Sequence, residues 1–421
     1  MATGSPKNIN KNMISKIRKI ITILAVNCLV IIALLAFLEL TGWLMIGRPS
    51  HGFHSSWRFN HIFEPMGKVV HREQIPLNPD FPEPYTRTFN KQGWPETYNV
   101  NRRKTQGTYR IFYVGDSFIA GSCSADQTLP STIKKLLNQG KKDKNLHFEI
   151  INTGTNSYSP IIYYVLIRYV VCDYQPDLIV VAVDMTDDYD DWKYKHTALF
   201  DKEGNPLAVP PRDYFLSPFI DAGQGAVKAT PIGRLQCFLY QNSSFYNMIR
   251  NSIRSNIKKP PTGFFDTTGN DIAIATKSNK SYLYKQWQWC GESWDSATTA
   301  QVQTTLDYIR RICEFCHEKN IKLMLTSVPH YEQYNGNAQG IGKPGSSARP
   351  HKEIAGVAAQ CGVPYHNAFE DLKPLITGTP QTQYYYAGDM HFNPRGYKIW
   401  ADAQYKFLSD SSNHLLPAGF Y

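Results

Sequence analysis

Residues 108–120, TYRIFYVGDSFIA, change character at Gly115. The stretch RIFYVG (110–115) is a short, nearly continuous apolar run, which is typical of a parallel strand that is buried on both faces. Asp116 and Ser117 then end the run. Loops at the carboxyl ends of parallel strands often carry function. The stretch therefore raises two alternatives, a turn that merely ends a strand and a turn that presents a serine nucleophile.

Strand-like and helical patterns alternate along the chain after Tyr109. Helical patterns such as LPSTIKKLLNQ and TTAQVQTTLDYIRRICEFCHEK lie between short apolar runs. This alternation predicts an α/β fold, a doubly wound parallel sheet with helices on both faces and right-handed crossovers. The other predicted strands are HFEIINT (147–153), LIVVAV (178–183), IKLMLTSVP (321–329) and VPYHNA (363–368).

One interval interrupts the alternation. About 115 residues separate Asp188 from the helix pattern that begins near Gln303, and we expect a large insertion after strand three, at residues 192–300. Such an insertion would overhang the carboxyl edge of the sheet, where open α/β folds bind ligands. Local packing is one role for its tryptophans, and stacking on sugar rings is the other. The candidates are Trp287, Trp289 and Trp294.

The N-terminal part of the chain has the pattern of a membrane anchor. Residues 20–38 form an uncharged apolar run of 19 residues, which would span about 28 Å as a helix. Residues 1–19 carry five basic and no acidic side chains, so the positive-inside bias predicts a cytoplasmic N-terminus and an exported remainder, periplasmic or extracellular. A cleaved signal peptide is the alternative, but its apolar region is usually shorter. We expect an uncleaved single-pass signal anchor at residues 20–46.

Charge and composition bound what the exported part does. Residues 47–107 are rich in Pro, Asn and Arg and predict a membrane-proximal segment, followed by one domain at residues 108–421. The five N-terminal basic residues account for half of the formal charge of +10. The rest of the chain is only mildly basic, and nothing in it favours a nucleic-acid partner.

The cysteines include one pattern with two interpretations. Cys313 to His317 read C-x-x-C-H, which is the attachment pattern of c-type haem. However, Leu306, Ile309, Cys313 and Cys316 recur at helical spacing, which favours the apolar face of an ordinary helix. We therefore expect no haem and no other cofactor. The pairing of the eight cysteines cannot be read from their spacing.

A loop near the C-terminus holds the groups that would activate Ser117. Asp389 and His391 lie just before the last helix pattern, GYKIWADAQYKFL. A serine hydroxyl needs a base to accept its proton, and that base needs a carboxylate to hold its tautomer. This one loop supplies both groups, which favours the nucleophile over the plain turn.

Three blocks of the chain resemble the SGNH (GDSL-type) hydrolases. They are VGDSFIAGSCSADQTLPSTIKKLLN, INTGTNSYSP and GDMHFNPRGYKIWADA. The resemblance implies a flavodoxin-like three-layer fold with Ser117 as nucleophile, His391 as base and Asp389 as its orienting group. It also implies that the backbone N–H groups of Ser117 and Gly154 donate to the oxyanion. The order of a single apolar span, a membrane-proximal segment and then the domain also resembles an anchored subgroup of this family, which is linked to acyl decoration of exported polysaccharides.

The chain departs from the family pattern in two places. The family commonly has Asp-x-x-His, whereas one residue separates Asp389 from His391 here. Where the family usually has Gly-x-Asn-Asp, this chain has VAVDMTDDYDDW, so that Thr186 and Asp187 occupy the end of the motif. An ionised Asp187 would repel an oxyanion. The alternatives are that Asp187 is neutral, that Thr186 or Asn156 supplies the hydrogen-bond donor instead, or that the activity is weakened or lost. The aspartates of this loop do not follow the spacing of an EF-hand, so no metal is expected.

These features predict a membrane-anchored serine esterase acting on small acyl esters, in particular O-acetyl esters, of an exported carbohydrate. An O-acetyltransferase that uses the same site, with a membrane acyl-transfer partner, is one alternative. A non-catalytic carbohydrate-binding or scaffold protein on the same fold is the other, because fold alone does not fix function.

Overall fold

The structure is a computed structural model, and it describes residues 6–46, 52–71, 84–211, 219–221, 227–229, 231–256, 287–291, 293–335 and 348–421. The chain forms two compact units. The first unit comprises Met1–Ser50 and Leu235–Phe264, and the second comprises His51–Arg234 and Phe265–Tyr421.

The strands of the described residues are numbered in chain order. They are β1 (Phe53–Ser56), β2 (Asn60–Phe63), β3 (Lys68–His71), β4 (Tyr85–Thr88), β5 (Thr108–Val114), β6 (His147–Asn152), β7 (Leu178–Asp184), β8 (Leu199–Phe200), β9 (Pro206–Ala208), β10 (Phe219–Asp221), β11 (Val227–Ala229), β12 (Lys322–Val328) and β13 (Tyr365–His366).

The α-helices are numbered in the same way. They are α1 (Pro6–Ile46), α2 (Ser117–Ala120), α3 (Leu129–Gly140), α4 (Pro160–Tyr169), α5 (Asp187–Lys195), α6 (Pro231–Asn242), α7 (Ser244–Asn256), α8 (Ser296–Glu318), α9 (Tyr331–Asn335), α10 (Arg349–Cys361), α11 (Ala368–Ile376) and α12 (Pro394–Ser409).

The second unit is built on a five-stranded sheet in the order β13-β12-β7-β5-β6. All four pairings between these strands are parallel. Numbered along the chain, these five strands have the order 2-1-3-4-5, which is the flavodoxin-like arrangement. The strand order reverses between β5 and β7, since β6 is added on one side of β5 and the later strands on the other. In such sheets, ligands bind beyond the carboxyl ends of the strands at this point.

Helices cover the sheet on two faces because alternate residues of each strand point to opposite sides. Ile111 and Tyr113 of β5, with Val180 of β7, are buried in a cluster that includes apolar side chains of α3, α11 and α12. The intervening residue Phe112 is also fully buried, and α4, α8 and α10 pack together as a second group of helices. The predicted α/β, doubly wound parallel sheet is confirmed.

The strand predictions agree with the structure to within two residues at each end. The predicted run at 110–115 covers β5 from Arg110 to its end at Val114 and adds Gly115, and the run at 178–183 is β7 without its last residue, Asp184. The insertion predicted at 192–300 stays a prediction, because much of it lies outside the described residues. Its predicted start falls inside α5, which continues to Lys195.

Two further patterns have clear outcomes. Cys313 and Cys316 lie on the buried face of α8, with exposures of 4% and 1%. This confirms the interpretation as a helix face. In the first unit, residues Met13–Met45 of α1 form a helix that is long and apolar enough to cross a membrane.

Candidate active site

Ser117 lies where β5 ends and a new helix begins. Asp116 caps α2, its Oδ1 accepting a hydrogen bond from the Phe118 N–H at 2.9 Å. The turn is tight at Gly115, where a Cβ atom would lie 2.4 Å from Ile119 Cγ1. A glycine therefore lets the chain turn directly from the strand into the helix. The turn places Ser117, which is half-buried, at the carboxyl edge of the sheet.

Ser117, His391 and Asp389 form a continuous hydrogen-bonded chain. His391 Nε2 lies 2.7 Å from Ser117 Oγ, and His391 Nδ1 lies 2.6 Å from Asp389 Oδ1. The same carboxylate oxygen accepts the backbone N–H of His391 at 3.1 Å. The side chains of Asp389 and His391 are each 21% exposed. The structure therefore brings together the three residues that the sequence predicts as a triad.

The loop that carries Asp389 and His391 is held from behind by Asn393. Asn393 Oδ1 caps α12 by accepting the backbone N–H groups of Arg395 and Gly396 at 2.9 and 3.1 Å. Its amide nitrogen donates to backbone carbonyls at residues 382 and 385. Asn393 is fully buried. One side chain thus fixes both the start of the helix and the path of the loop.

The imidazole of His391 has an altered basicity. Burial lowers its pKa. The charge and hydrogen bond of Asp389, together with the charges of Asp116 and Asp184, outweigh burial, and the net pKa is raised above 6.5. The ring of Phe118 lies against the imidazole with 4.8 Å between centroids. His391 is thus a stronger base than a free histidine and is held between a carboxylate and an apolar ring.

Gly154 occupies the position next to α2 that the sequence suggests, but its N–H is already used. A Cβ atom at Gly154 would lie 2.2 Å from Ala120 N, so the loop packs directly on the helix backbone. The Gly154 N–H donates to Asn152 Oδ1 at 2.9 Å, and Asn152 Nδ2 donates to Ile119 O at 2.7 Å. In this structure, Gly154 therefore allows the loop to pack closely on α2. Its N–H could donate to an oxyanion only if it also kept, or gave up, its hydrogen bond to Asn152 Oδ1.

Two residues further along the same loop have backbone N–H groups that are not used in hydrogen bonds. The backbone N–H groups of Asn156 and Ser157 have no acceptor among the described residues, and Ser157 adopts a left-handed conformation with φ of 58°. Such a conformation is unfavourable for a residue with a Cβ atom and is often found at functional sites. Asn156 is fixed by Arg87 Nη1, which donates to its Oδ1 at 3.4 Å, and by His61 Nε2, which lies 2.7 Å from its carbonyl oxygen. Sequence reasoning missed Ser157, because a serine does not signal a positive φ.

Asp187, the residue that stands near the expected asparagine, is 1% exposed. Its Oδ2 accepts the backbone N–H of Asp184 at 3.0 Å, whereas its Oδ1 makes no hydrogen bond within the described residues. Burial, and then the charge of Asp184, raise the pKa of Asp187 well above 3.8. Burial raises the pKa of Asp184 too, but the neighbouring His330 imidazole and the hydrogen bonds from Thr186 reverse this and lower it below 3.8. The raised pKa favours the neutral form of Asp187 over the carboxylate that would repel an oxyanion. Thr186 donates hydrogen bonds to Asp184 from both its N–H and its hydroxyl.

The tryptophans predicted to stack on sugars do not present open rings. Trp289 is fully buried, so the prediction is wrong for this residue, and Trp287 is 8% exposed with its ring edge-on to His330 at 4.5 Å. The guanidinium of Arg349 lies 3.4 Å from the ring centroid of Trp294 and covers that face. These rings pack within the protein, as in the alternative interpretation.

Comparison with known proteins gives matches to solved structures. No family model and no curated protein matches the chain. An acetylxylan esterase from Geobacillus stearothermophilus matches at 8% identity, covering 72% of this chain and 94% of its own, with a TM-score of 0.38. A lipase/acylhydrolase from Enterococcus faecalis matches at 13% identity over 71% of this chain and 95% of its own, with a TM-score of 0.36.

A third match is a GDSL-like lipase from Bacteroides thetaiotaomicron, at 14% identity over 72% of this chain and 88% of its own, with a TM-score of 0.33. All three matches therefore carry names of ester-cleaving proteins. The chain is similar to GDSL-type lipases and acetylxylan esterases.

Proposed function

We propose that this chain is a serine esterase of the SGNH type that cleaves small acyl esters, with Ser117 as nucleophile, His391 as base and Asp389 as its orienting group. The observation that carries the proposal is the hydrogen-bonded chain from Asp389 Oδ1 through both nitrogens of His391 to Ser117 Oγ. A triad is recognised by this geometry and by the roles that the geometry permits.

The reaction proceeds in two halves. Ser117 Oγ attacks the acyl carbonyl carbon while its proton passes to His391 Nε2, and the carbonyl oxygen becomes an oxyanion. His391 then returns the proton to the leaving alcohol as the ester C–O bond breaks, which leaves an acyl-serine. Water, deprotonated by His391, attacks the acyl-serine, and the carboxylic acid departs as the proton returns to Ser117. Asp389 holds the Nδ1–H and stabilises the imidazolium in both halves.

The oxyanion requires hydrogen-bond donors close to the nucleophile. The Ser117 N–H stands at the first position of α2, where helical N–H groups have no intrahelical acceptor. We assign the other donors to the loop at Asn156 and Ser157 and to a neutral Asp187. A carboxylic acid kept neutral by its surroundings can donate a hydrogen bond to an oxyanion. An aspartate at position 187, where the family usually has asparagine, is then compatible with catalysis.

The ester is proposed to be an O-acetyl group on an exported carbohydrate. The N-terminal basic residues and α1 support a single-pass anchor that leaves the domain at residues 108–421 on the exported side, with 47–107 as the membrane-proximal segment. A sugar hydroxyl in place of water at the second step would make the same site an O-acetyltransferase, supplied by a membrane acyl-transfer partner. A non-catalytic carbohydrate-binding protein is the remaining alternative.

Labelling and turnover of the full-length protein in detergent test the proposal. We expect a fluorophosphonate probe to label Ser117, and 4-nitrophenyl acetate to be hydrolysed. Both signals should disappear in Ser117→Ala and persist in Ser124→Ala, whose side chain makes no capping hydrogen bond. Wild-type protein that neither reacts with the probe nor turns over between pH 6 and 9 would favour the non-catalytic alternative. Mass analysis of products with an added sugar acceptor separates esterase from transferase.

A further inference from the structure

The first unit contains a helix with an unusual distribution of side chains. In α7, Ser244 and Asn247 are 1% and 6% exposed, whereas Ile249 and Ile253 are 42% and 57% exposed. A helix on the surface of a water-soluble protein shows the opposite pattern, with apolar side chains inside and polar ones outside. In α7, therefore, two apolar side chains lie outward while two polar side chains are buried.

The polar side of α7 begins at a carboxylate of α1. Glu39 accepts a hydrogen bond from Ser243 Oγ at 2.6 Å and one from the Ser244 N–H at 2.6 Å. A third contact joins Glu39 to the Phe245 N–H at 3.4 Å. A carboxylate at this position satisfies N–H groups that a helix start leaves unpaired and is favoured by the helix dipole.

Gly42 completes the contact between the two helices. A Cβ atom at Gly42 would lie 2.3 Å from Phe245 N, so the backbones touch there. Small residues that permit close approach, and polar side chains that bond between helices, are the features of helix pairs packed in a membrane. Glu39 directly follows the uncharged run at residues 20–38, which places this contact at the end of the apolar segment.

The apolar side chains continue on the neighbouring helix. Leu235 and Phe238 of α6 are 58% and 61% exposed, and their spacing of three residues puts them on one face. With its 13 residues, α7 is about 20 Å long, and this is too short to cross a hydrocarbon core of about 30 Å. Helices of this kind lie in the interface with their apolar face in the acyl chains.

We propose that α7 and the part of α6 from Leu235 onward form a membrane-interface element that binds the acyl-chain region of the lipid bilayer and is fixed to α1 by Glu39 and Gly42. The inference rests on the proposed membrane anchor and not on the proposed esterase chemistry. Continuity with α1, whose apolar window is 0% buried, selects lipid as the occupant. The element adds a second, lateral attachment to an otherwise single-pass protein.

Lipid photo-crosslinking of the full-length protein in nanodiscs tests this inference. The probe is a phosphatidylcholine with a diazirine in its acyl chain, and mass spectrometry of peptides locates the adducts. We expect adducts in residues 235–256 as well as in α1. The variants Phe238→Asp and Ile253→Asp should lower the yield in 235–256 by about five-fold or more, because a buried charge in the acyl region is unfavourable. Leu375→Asp makes the same kind of change at an apolar side chain of α11 that is 44% exposed and lies outside the element; it is the matched control and should not change the yield.

Further variants test the attachment itself. Glu39→Gln combined with Gly42→Leu should leave the adducts in α1 and reduce those in 235–256. Adducts confined to α1 in the wild-type protein would overturn the inference, and adducts absent from α1 as well would overturn the anchor with it. Ester hydrolysis, measured in the same preparation, reports on the proposed function separately, so the failure of one is distinguishable from the failure of the other.

Discussion

Asp389 holds His391 through a single carboxylate oxygen, which accepts both the backbone N–H and the Nδ1–H of the same histidine. This two-point contact explains how a spacing of one intervening residue serves in place of two. Gly388 adopts φ of 68° immediately before Asp389, and the Asp389 N–H donates to Tyr386 O at 3.2 Å. The turn brings the carboxylate back over its own loop, so that the shorter spacing still reaches the imidazole.

The first prediction concerns Asp389→Asn. His391 accepts the serine proton only when it is neutral, so activity rises as the pH passes upward through its pKa. Among the carboxylates that raise this pKa above 6.5 against the effect of burial, Asp389 contributes the most. Without the charge, we expect the acid limb of kcat/KM to move to lower pH and kcat to fall about 10⁴-fold. A pH profile with 4-nitrophenyl acetate from pH 4.5 to 9 measures both effects.

Asp402→Asn is the control for this prediction. Asp402 pairs with Lys398 on an exposed part of α12, so its loss changes a surface charge without touching the loop. An acid limb that stays in place in Asp389→Asn, or moves equally in the control, would show that Asp389 does not set the basicity of His391.

The second prediction concerns Asp187. If its neutral form donates to the oxyanion, the wild-type enzyme loses activity at high pH as Asp187 ionises, because its pKa is raised but finite. Asp187→Asn keeps a neutral donor, and we expect it to retain activity and to lose this alkaline decline. Asp187→Leu has no donor and should lose about 10²–10³ in kcat. The pH profile of kcat between 6 and 10 separates the three proteins.

Asp188→Asn makes the same change one residue along the chain. Asp188 is also fully buried, and burial also raises its pKa. The Asp188→Asn variant should keep the fall in kcat at high pH that we expect of the wild type. Full activity in Asp187→Leu would remove Asp187 from the oxyanion site and leave the loop at Asn156 and Ser157 as the donor.

The fold could be predicted because its signal is local. The apolar runs at β5 and β7 are long enough to require burial on both faces, and helical patterns separate them, so a parallel sheet with crossover helices was the consistent arrangement. The meeting of Ser117 with His391 could be predicted for a related reason. Strand ends meet at one edge of such a sheet, where Ser117 begins the helix that follows β5 and His391 lies in the loop before α12.

The details that sequence reasoning missed depend on contacts between distant residues. Nothing in the sequence shows that Asn152 takes the Gly154 N–H, because this bond depends on the approach of the loop to Ile119. The positive φ of Ser157 is imposed by the surrounding loop and not by the residue type. Trp289 was a candidate for sugar binding because it lies in the predicted insertion, and only its packing shows that the ring is fully buried.

The third prediction separates the two functions of Asn393, which are to cap α12 and to hold the loop that carries Asp389 and His391. Asn393→Ser keeps a good capping oxygen but loses the amide donors to the loop, whereas Asn393→Ala loses both. We expect Asn393→Ala to lower the free energy of unfolding by about 1 kcal/mol more than Asn393→Ser does. Both variants should lower kcat, because both release the loop. Thermal unfolding and ester hydrolysis measure the two effects, and unchanged kcat in both variants would mean that the loop is held by other contacts.

The fourth prediction concerns the close approach of Gly154 to α2. In Gly154→Ala, the new Cβ atom would stand 2.2 Å from Ala120 N and 2.6 Å from Ile119 C, both of them backbone atoms that cannot swing aside. Either the loop or α2 must move. Overpacking of this kind costs about 1–3 kcal/mol, and a shift of α2 displaces Ser117 from His391. We expect a lower melting temperature and a fall in kcat of about ten-fold or more, since misplacement by about 1 Å can cost 100-fold.

Gly356→Ala provides a matched control in the same protein. Gly356 lies within α10, and a Cβ atom there would meet nothing within 4 Å. Alanine should stabilise this helix by about 0.5–1 kcal/mol, and kcat should not change. Since both variants add one methyl group in place of a glycine hydrogen, only the contact with α2 distinguishes them. Equal kcat in Gly154→Ala and Gly356→Ala would show that the position of α2 does not depend on Gly154, and that the serine is placed by β5 and Asp116 alone.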